Sequence, residues 1–74
     1  MAASLLKTFL TVVTTESFVA AAERIHVTQS TISQRIQKLE LMLGHQLFKR
    51  SKSGVGLTIN GAKFEPYARS LMQL

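Results

Sequence analysis

Four side chains near the middle of the chain, Gln29, Ser30, Ser33 and Gln34, both donate and accept hydrogen bonds. The glutamines offer an amide and the serines a hydroxyl group. A glutamine amide pairs in a bidentate manner with adenine N6 and N7, which is worth about 1–3 kcal/mol of discrimination against other bases. Presented together on one surface, these side chains are therefore suited to contact base edges.

A single helix from Gln29 to Leu43 would bring these side chains together. Its apolar residues fall within ~60° of one another at 3.6 residues per turn, and they are Ile32, Ile36, Leu39 and Leu43. The polar residues of the opposite side are Ser30, Gln34, Gln37 and Lys38, with Gln29 and Ser33 flanking them. The pattern predicts a helix with one side in a core and the other side either contacting a partner or forming an ordinary solvent-facing stripe.

The residues before this helix favour the first of these two alternatives, in which the polar side contacts a partner. Ser17 is a suitable N-cap for a short helix over Phe18–Ile25, in which three consecutive alanines allow close helix packing. A turn at residues 26–28 follows; Thr28 is expected to cap the longer helix and Gly44 to end it in the left-handed conformation. A short helix, a tight turn and a longer helix with a polar outer side are typical of a DNA-binding helix-turn-helix.

The flanking segments predict the rest of a small, mainly α domain. Apolar residues at helical spacing indicate a first helix over residues 3–14. Residues 47–49 look like a short strand, residues 51–56 like a Gly- and Ser-rich turn, and residues 55–58 like a return strand. A last helix is expected from Ile59. The sequence therefore predicts a three-helix core, a short two-stranded wing and a C-terminal helix.

The charge of the chain points to a polyanionic partner. The formal net charge is +5 on 74 residues, a length that fits one domain. Basic side chains concentrate on the long helix and the loop after it, at Arg35, Lys38, Lys49, Arg50 and Lys52, with Glu40 among them. Solvating surface charge is the plain alternative, whereas no predicted helix is basic enough to lie on a membrane.

Several other classes of protein are disfavoured. The chain has no cysteine, which excludes disulfides and thiolate metal sites and indicates a reducing cytosol. Its apolar stretches are too short to span a bilayer, and its first residues do not match a signal peptide. His26 and His45 lie too far apart for a metal site, and Glu40 is expected to be structural rather than catalytic. The wing also lacks the G-x-x-x-x-G-K spacing of a nucleotide site. We therefore expect no enzyme activity, no metal and no cofactor.

One long motif extends over nearly the whole chain. Its positions are Ser17-Phe18, Ala20-Ala21-Ala22-Glu23-Arg24, His26-Val27-Thr28-Gln29-Ser30-Thr31-Ile32-Ser33, Ile36, Leu39-Glu40, Leu43-Gly44, Leu47-Phe48, Arg50, Leu57-Thr58 and Gly61. The motif resembles the DNA-binding domain of LysR-type transcriptional regulators. The resemblance implies a winged helix-turn-helix at residues 1–58 and a linker and dimerisation helix at residues 59–74. It also implies that the chain is an excised domain or fragment, without the effector-binding domain of the family.

The resemblance also implies a set of contacts with double-stranded DNA. The resemblance points to Gln29, Ser30, Ser33 and Gln34 on the recognition helix and to Arg50 and Lys52 on the wing. With four neighbouring residues, Thr28, Thr31, Arg35 and Lys38, these form the expected DNA-binding set. The recognition helix over residues 29–43 would enter the major groove, and the basic wing would contact the phosphate backbone or the minor groove. The implied function is sequence-specific binding to an interrupted palindromic operator in bacterial transcriptional regulation, in the cytoplasm. The alternative is a winged-helix module that contacts protein or RNA. The polar helix face together with the basic wing disfavours this alternative.

Five positions depart from the family pattern. Glu16 stands where the family usually has glycine, which is expected to alter the turn. Ser30 and Gln34 stand where proline and arginine are common, so base preference cannot be transferred from relatives. Leu41 and Met42 replace residues that are often acidic, and Leu41 lies on the outer side of the predicted helix. Leu41 is therefore either exposed surface or a contact with a partner subunit.

The last helix is the expected dimer element. Its apolar stripe consists of Phe64, Tyr67, Ala68, Leu71 and Leu74. Two copies packed along this stripe would place two recognition helices ~34–36 Å apart, which is one turn of DNA; alternatively, the stripe caps the core. Pro66 is expected to kink the helix. The resemblance implies a homodimer, allows higher oligomers for a full-length regulator, and assigns a small-molecule effector to the missing domain.

Overall fold

The structure, a computed structural model, describes residues 2–73 as a helical core with a hairpin. The elements are α1 (Ala3–Thr15), α2 (Phe18–Ile25), α3 (Gln29–Leu43), β1 (Phe48–Ser51), β2 (Gly54–Leu57) and α4 (Ile59–Met72). Helices α1 to α3 form the core, β1 and β2 form an antiparallel wing, and α4 packs against α1 and β2. The predicted winged helix-turn-helix is confirmed.

The ends of α2 and α3 lie where the sequence predicts them, whereas α1 extends one residue beyond its predicted end, to Thr15. Ser17 caps α2, because its Oγ accepts a hydrogen bond from the Ala20 N–H at 3.1 Å. Thr28 caps α3 in the same way, accepting from the Thr31 N–H at 3.1 Å. Gly44 ends α3 in the left-handed conformation with φ 77°. These caps satisfy N–H groups that the first turn of a helix leaves without partners, and they fix the direction in which α3 leaves the turn.

Helix α1 is the centre of the fold. It contacts α2, α3, α4 and β2, and Phe9 and Val12 on it are completely buried. From α3, Ile32, Ile36 and Leu39 join the same core, while Leu43 is half-buried beside it. The predicted apolar stripe of α3 is therefore its inner side.

The four phenylalanines form one continuous row through the core. The ring of Phe9 lies 5.3 Å from that of Phe48 and 5.1 Å from that of Phe64, measured between centroids. Phe48 in turn meets Phe18 at 6.2 Å with the rings nearly perpendicular. Tilted and edge-on contacts of this kind stabilise beyond simple burial. The row connects α4, α1, the wing and the first residue of α2.

The wing is shifted slightly from its predicted boundaries. Phe48 pairs with Leu57 and Ser51 with Gly54, so each strand has four residues and the reversal lies at residues 52–53. Gly54, with φ 132°, adopts the backbone conformation that the reversal needs. Gly56, which was expected in the turn, lies instead within β2. Gly- and Ser-rich strands carry little apolar alternation to mark their register.

Three hydrogen bonds donated by backbone N–H groups hold the wing and the residue before it against the helices. The Glu40 carboxylate accepts hydrogen bonds from the Leu47 N–H at 2.7 Å and from the Phe48 N–H at 3.4 Å. On the other strand, the Val55 N–H donates to the backbone carbonyl of Glu16 at 3.3 Å. Glu40 therefore has the structural role expected of it, because it ties α3 to the start of β1.

Glu16 occupies the left-handed corner between α1 and α2, with φ 56°. Non-glycine residues adopt this conformation at a steric cost, whereas glycine adopts it freely. The backbone at this corner thus has the conformation that glycine adopts without steric cost, although the residue is glutamate. Its backbone N–H still closes α1 by donating to the Val12 carbonyl at 2.8 Å.

Helix α4 is fixed to the domain at its first turn. Thr58 accepts a hydrogen bond from the Gly61 N–H at 3.0 Å and donates its hydroxyl to the Gln46 carbonyl at 2.6 Å. Pro66 is exposed within α4, and the helix extends on both sides of it. The two hydrogen bonds of Thr58 bring the first turn of α4 close to the loop before β1.

Gly61→Ala tests this close approach. A Cβ at Gly61 would overlap the backbone carbonyl of Leu47 and crowd the Leu57 side chain, so we expect a loss of about 1–3 kcal/mol in the free energy of unfolding. The matched control is Gly56→Ala, where a Cβ meets nothing within 4 Å. Chemical denaturation of both variants measures the difference. Because alanine is the better helix former by about 1 kcal/mol, a stabilised Gly61→Ala variant would contradict the packing.

Candidate nucleic-acid interface

The outer side of α3 presents a continuous polar surface. Its exposed residues are Gln29, Ser30, Gln34, Gln37 and Lys38, and Ser33 beside them is half-buried. Since the inner side of α3 is fixed in the core, the backbone positions that carry these side chains are held at constant spacing. The helix that carries them is 15 residues long and begins at Gln29. The surface combines neutral hydrogen-bonding groups with positive charge.

Thr28 and Thr31 occupy the entrance to this helix and bond to one another. Their hydroxyl oxygens lie 2.9 Å apart, and Thr28 also accepts from the Thr31 backbone N–H. Both predicted site residues are therefore next to the polar surface, with side chains engaged in the cap. Their first contribution is to fix the amino terminus of α3, where backbone N–H groups suit an anion.

Arg35 lies apart from the other predicted site residues. Its Nη1 donates to Thr8 Oγ1 on α1 at 3.3 Å, and the side chain is half-buried. One step along a helix rotates a side chain by about 100°, which turns Arg35 from the outer surface near Gln34 towards α1. Thr8 is completely buried, a feature that its polar side chain did not signal in the sequence.

Arg50 is held between the wing and the two helices of the helix-turn-helix. Its guanidinium carbon lies 4.2 Å from the centroid of the Phe18 ring, which is a cation–π geometry. Its Nη2 lies 3.5 Å from Ser33 Oγ, a long hydrogen bond. Lys52 is exposed at the turn of the wing. The structure thus brings Arg50 to the polar surface of α3 and leaves Lys52 further out.

A groove of about 550 Å³ separates α3 from β1. Gln37 and Lys49 line it together with Ser33 and Arg50. Gln37 and Lys49 were outside the predicted site, although the helical spacing placed Gln37 on the outer side and the charge pattern included Lys49. Their position beside Arg50 extends the polar surface from α3 to the wing.

Two carboxylates of the domain have partners within it. Glu40 lines the groove, but its carboxylate accepts from the backbone of the wing. Glu65 pairs with Arg69 on α4 at 2.8 Å. The exposed basic side chains of α3 and the wing are Lys38, Lys49, Arg50 and Lys52, and the exposed Glu16 lies beside Arg50 and Lys52 at the edge of the wing.

The predicted dimer stripe divides between the core and the surface. Ala68 is completely buried, and Phe64 is half-buried against Phe9. Tyr67 is 69% exposed and Leu71 is 46% exposed. Leu74 lies outside the described residues. One side of the stripe thus caps the core of the domain, and Tyr67 and Leu71 form an apolar edge on its surface.

Further apolar side chains are exposed at the carboxyl end of α3. Leu41 is 84% exposed and Met42 is 53% exposed, in agreement with the expected outer position of Leu41. Within residues 2–73, no group of three potential metal ligands is close enough to hold an ion. None of the helices in that range is long and apolar enough to cross a membrane.

A capped recognition helix beside a short helix, with a basic hairpin next to it, defines the winged helix-turn-helix class. The sequence profile described as "Bacterial regulatory helix-turn-helix protein, lysR family" matches residues 3–62. The chain belongs to this family. It is 49% identical over 72 residues to the HTH-type transcriptional regulator HdfR of Salmonella newport (strain SL254), covering 97% of this chain and 26% of that relative.

Solved structures of the family agree in fold. The crystal structure of the CbnR_DBD-DNA complex is similar with a TM-score of 0.93 and 38% sequence identity, covering 99% of this chain and 84% of that chain. The BenM_DBD/catB site 1 DNA complex is similar with a TM-score of 0.92 and 37% identity, covering 99% and 82%. The chain thus spans about a quarter of its relative HdfR and most of these shorter crystallised chains.

Proposed function

We propose that this chain binds double-stranded DNA sequence-specifically in bacterial transcriptional regulation. Helix α3 enters the major groove, and the wing contacts the phosphate backbone or the minor groove. The observation that carries this proposal is the division of α3 into a buried apolar side and an exposed polar side with the basic wing next to it. An exposed face of this kind matches both the donors and acceptors of base edges and the charge of phosphates.

Base recognition is assigned to the amino-terminal half of α3. Gln29, Ser30 and Gln34 are exposed there, and recognition helices of this class contact bases with their first turns. Gln34 suits adenine, whose N6 and N7 match both groups of its amide. Ser33 takes part with Arg50, which lies against it. We do not include Arg35 in this set, since it bonds to Thr8.

The wing is assigned to the sequence-independent part of binding. Lys52 and Lys49 are exposed on the hairpin, and Lys38 projects from α3 on the same side of the molecule as Gln34. Positive side chains release condensed counterions when they approach phosphates, which gives affinity without sequence information. The DNA complexes of CbnR_DBD and BenM_DBD support the same partner for this chain, and the regulator HdfR supports the role in transcription.

We further propose that residues 1–58 form the DNA-binding unit and that residues 59–74 form a linker and dimerisation helix. Tyr67 and Leu71 supply the contact surface, with the exposed edge of Phe64 beside them. A two-fold pair would match an interrupted palindromic operator. The effector-binding part belongs to the remaining length seen in relatives such as HdfR. The protein acts on the bacterial nucleoid in the cytoplasm, as a regulator rather than an enzyme.

Gln34→Ala tests base reading. We expect binding to a duplex selected by the wild-type chain from a random-sequence pool to weaken by ~1–3 kcal/mol, with little change on random duplex. Gln73→Ala, an exposed glutamine at the end of α4, is the matched control. Fluorescence anisotropy with both duplexes measures the effect. Equal weakening on the two duplexes would remove Gln34 from the base-reading set.

Lys52→Ala tests the phosphate contacts. Affinity should fall about equally for selected and random duplexes, and the slope of log K against log salt concentration should decrease by about 0.9. Lys7→Ala removes the same charge from an exposed position on α1 and should leave this slope closer to that of the wild type. A salt series from low to physiological ionic strength provides the measurement. An unchanged slope in Lys52→Ala would exclude Lys52 from the interface.

Leu71→Glu tests the dimer surface. A charge at this exposed apolar edge would have to be buried on association, so we expect a lower sedimentation-derived association constant and weaker binding to a palindrome. Ile59→Glu is the control, because Ile59 is exposed on the same helix but is not part of the stripe. If both substitutions affect association equally, the surface has been assigned wrongly.

A further inference from the structure

We propose that Phe18 is a positioning residue for DNA recognition, because its ring holds the Arg50 guanidinium beside the base-reading side of α3. This inference rests on the proposed function. Arg50 belongs to β1 and Phe18 to α2, so the contact connects the wing to the first helix of the helix-turn-helix. It assigns a DNA-binding role to a residue that otherwise belongs to the core.

The arginine is contacted from two sides. On one side its Cζ lies 4.2 Å from the Phe18 centroid, well within the distance at which a cation and an aromatic face attract each other. On the other side its Nη2 lies 3.5 Å from Ser33 Oγ. Free arginine side chains occupy many rotamers, and ordering them on binding costs conformational entropy. The two contacts restrict Arg50 before DNA arrives.

The Phe18 ring is itself fixed by the core. It is 7% exposed, and the edge contact with Phe48 sets its tilt. The Ser17 cap fixes the turn of backbone from which the ring projects. Phe48 rests on Phe9, which is completely buried. The platform beneath Arg50 is therefore rigid, although Arg50 is an exposed residue of the wing.

The side-chain chemistry at position 50 follows from this platform. A guanidinium is planar, stacks on an aromatic face and keeps several N–H donors at its rim, whereas an ammonium group is a compact point charge. With its guanidinium carbon over the Phe18 ring, Arg50 keeps further N–H donors available to a DNA acceptor while it remains near Ser33. Its exposed neighbours Lys49 and Lys52 can supply charge, but the position of Arg50 is set by the ring.

A double-mutant cycle on the 74-residue chain tests the proposal. The variants are Phe18→Leu, Arg50→Lys and the two combined, each measured on a duplex selected by the wild-type chain and on random duplex. We expect each single variant to lose about two- to five-fold in affinity for the selected duplex relative to random duplex. Arg50→Lys should keep the wild-type salt slope, since charge is retained. The combined variant should lose no more than Arg50→Lys alone.

Leu5→Ala is the control for core packing. Leu5 is buried in the same core but is not part of the row of phenylalanine rings that supports Arg50, so this substitution should lower the melting temperature without changing the ratio of selected to random affinity. A second measurement does not depend on the folding of any variant. In the wild-type chain, NMR should show the Arg50 side-chain protons shifted upfield by the ring current of Phe18.

Losses that add in the combined variant would overturn the inference, because Phe18 would then act through the core alone. Unshifted Arg50 protons in the wild-type chain would overturn it as well. A wild-type chain that prefers no duplex over random DNA would instead overturn the proposed function, and this inference with it. The two failures are therefore separate results.

Discussion

The buried ring of Phe9 on α1 joins the wing and the last helix to the core of the domain. Its ring is completely enclosed and contacts Phe48 of the wing and Phe64 of α4. A domain of 74 residues has one small core, so each element must reach that core to hold its place. The recognition helix, the wing and the last helix therefore all pack against α1.

This arrangement determines what α3 can do. Ile32 and Leu39 on its inner side are completely buried in the core. The positions of Gln34 and its neighbours on the outer side are fixed as a result. The Glu40 carboxylate accepts hydrogen bonds from the backbone N–H groups of Leu47 and Phe48, and the Phe18 ring contacts Arg50. These contacts position the wing against α3 and α2. The backbone that carries the polar side of α3 and the basic wing is thus held in one arrangement, which the proposed groove recognition requires.

The sequence predicts those features that depend on local chemistry. Ser17, Thr28 and Gly44 mark helix ends because capping uses neighbouring residues, and the stripe of α3 follows from helical periodicity. The contacts of Arg35 with Thr8 and of Arg50 with Phe18 could not be predicted, since they join residues 27 and 32 positions apart. Such pairs depend on the angles between packed elements, and these angles cannot be deduced from the spacing of residues along one helix.

The same distinction explains the wing and the last helix. The strand boundaries were wrong by one to two residues because Gly- and Ser-rich strands lack a clear buried side. The stripe of α4 was identified from its period, but which members the domain itself would cover was not, since Ala68 fits against the core whereas Tyr67 projects from it. Periodicity identifies an apolar side, and only packing decides how much of it remains exposed.

We propose that α3 and the wing form one DNA-binding surface. The most direct measurement is an NMR titration of the isotope-labelled chain with a duplex selected from a random pool, followed at every backbone amide. We predict the largest chemical-shift changes over residues 28–38 and 49–54, with small changes over the outer side of α1. Changes concentrated at residues 41–46 or along α1, with residues 28–38 and 49–54 unaffected, would show that DNA binds elsewhere.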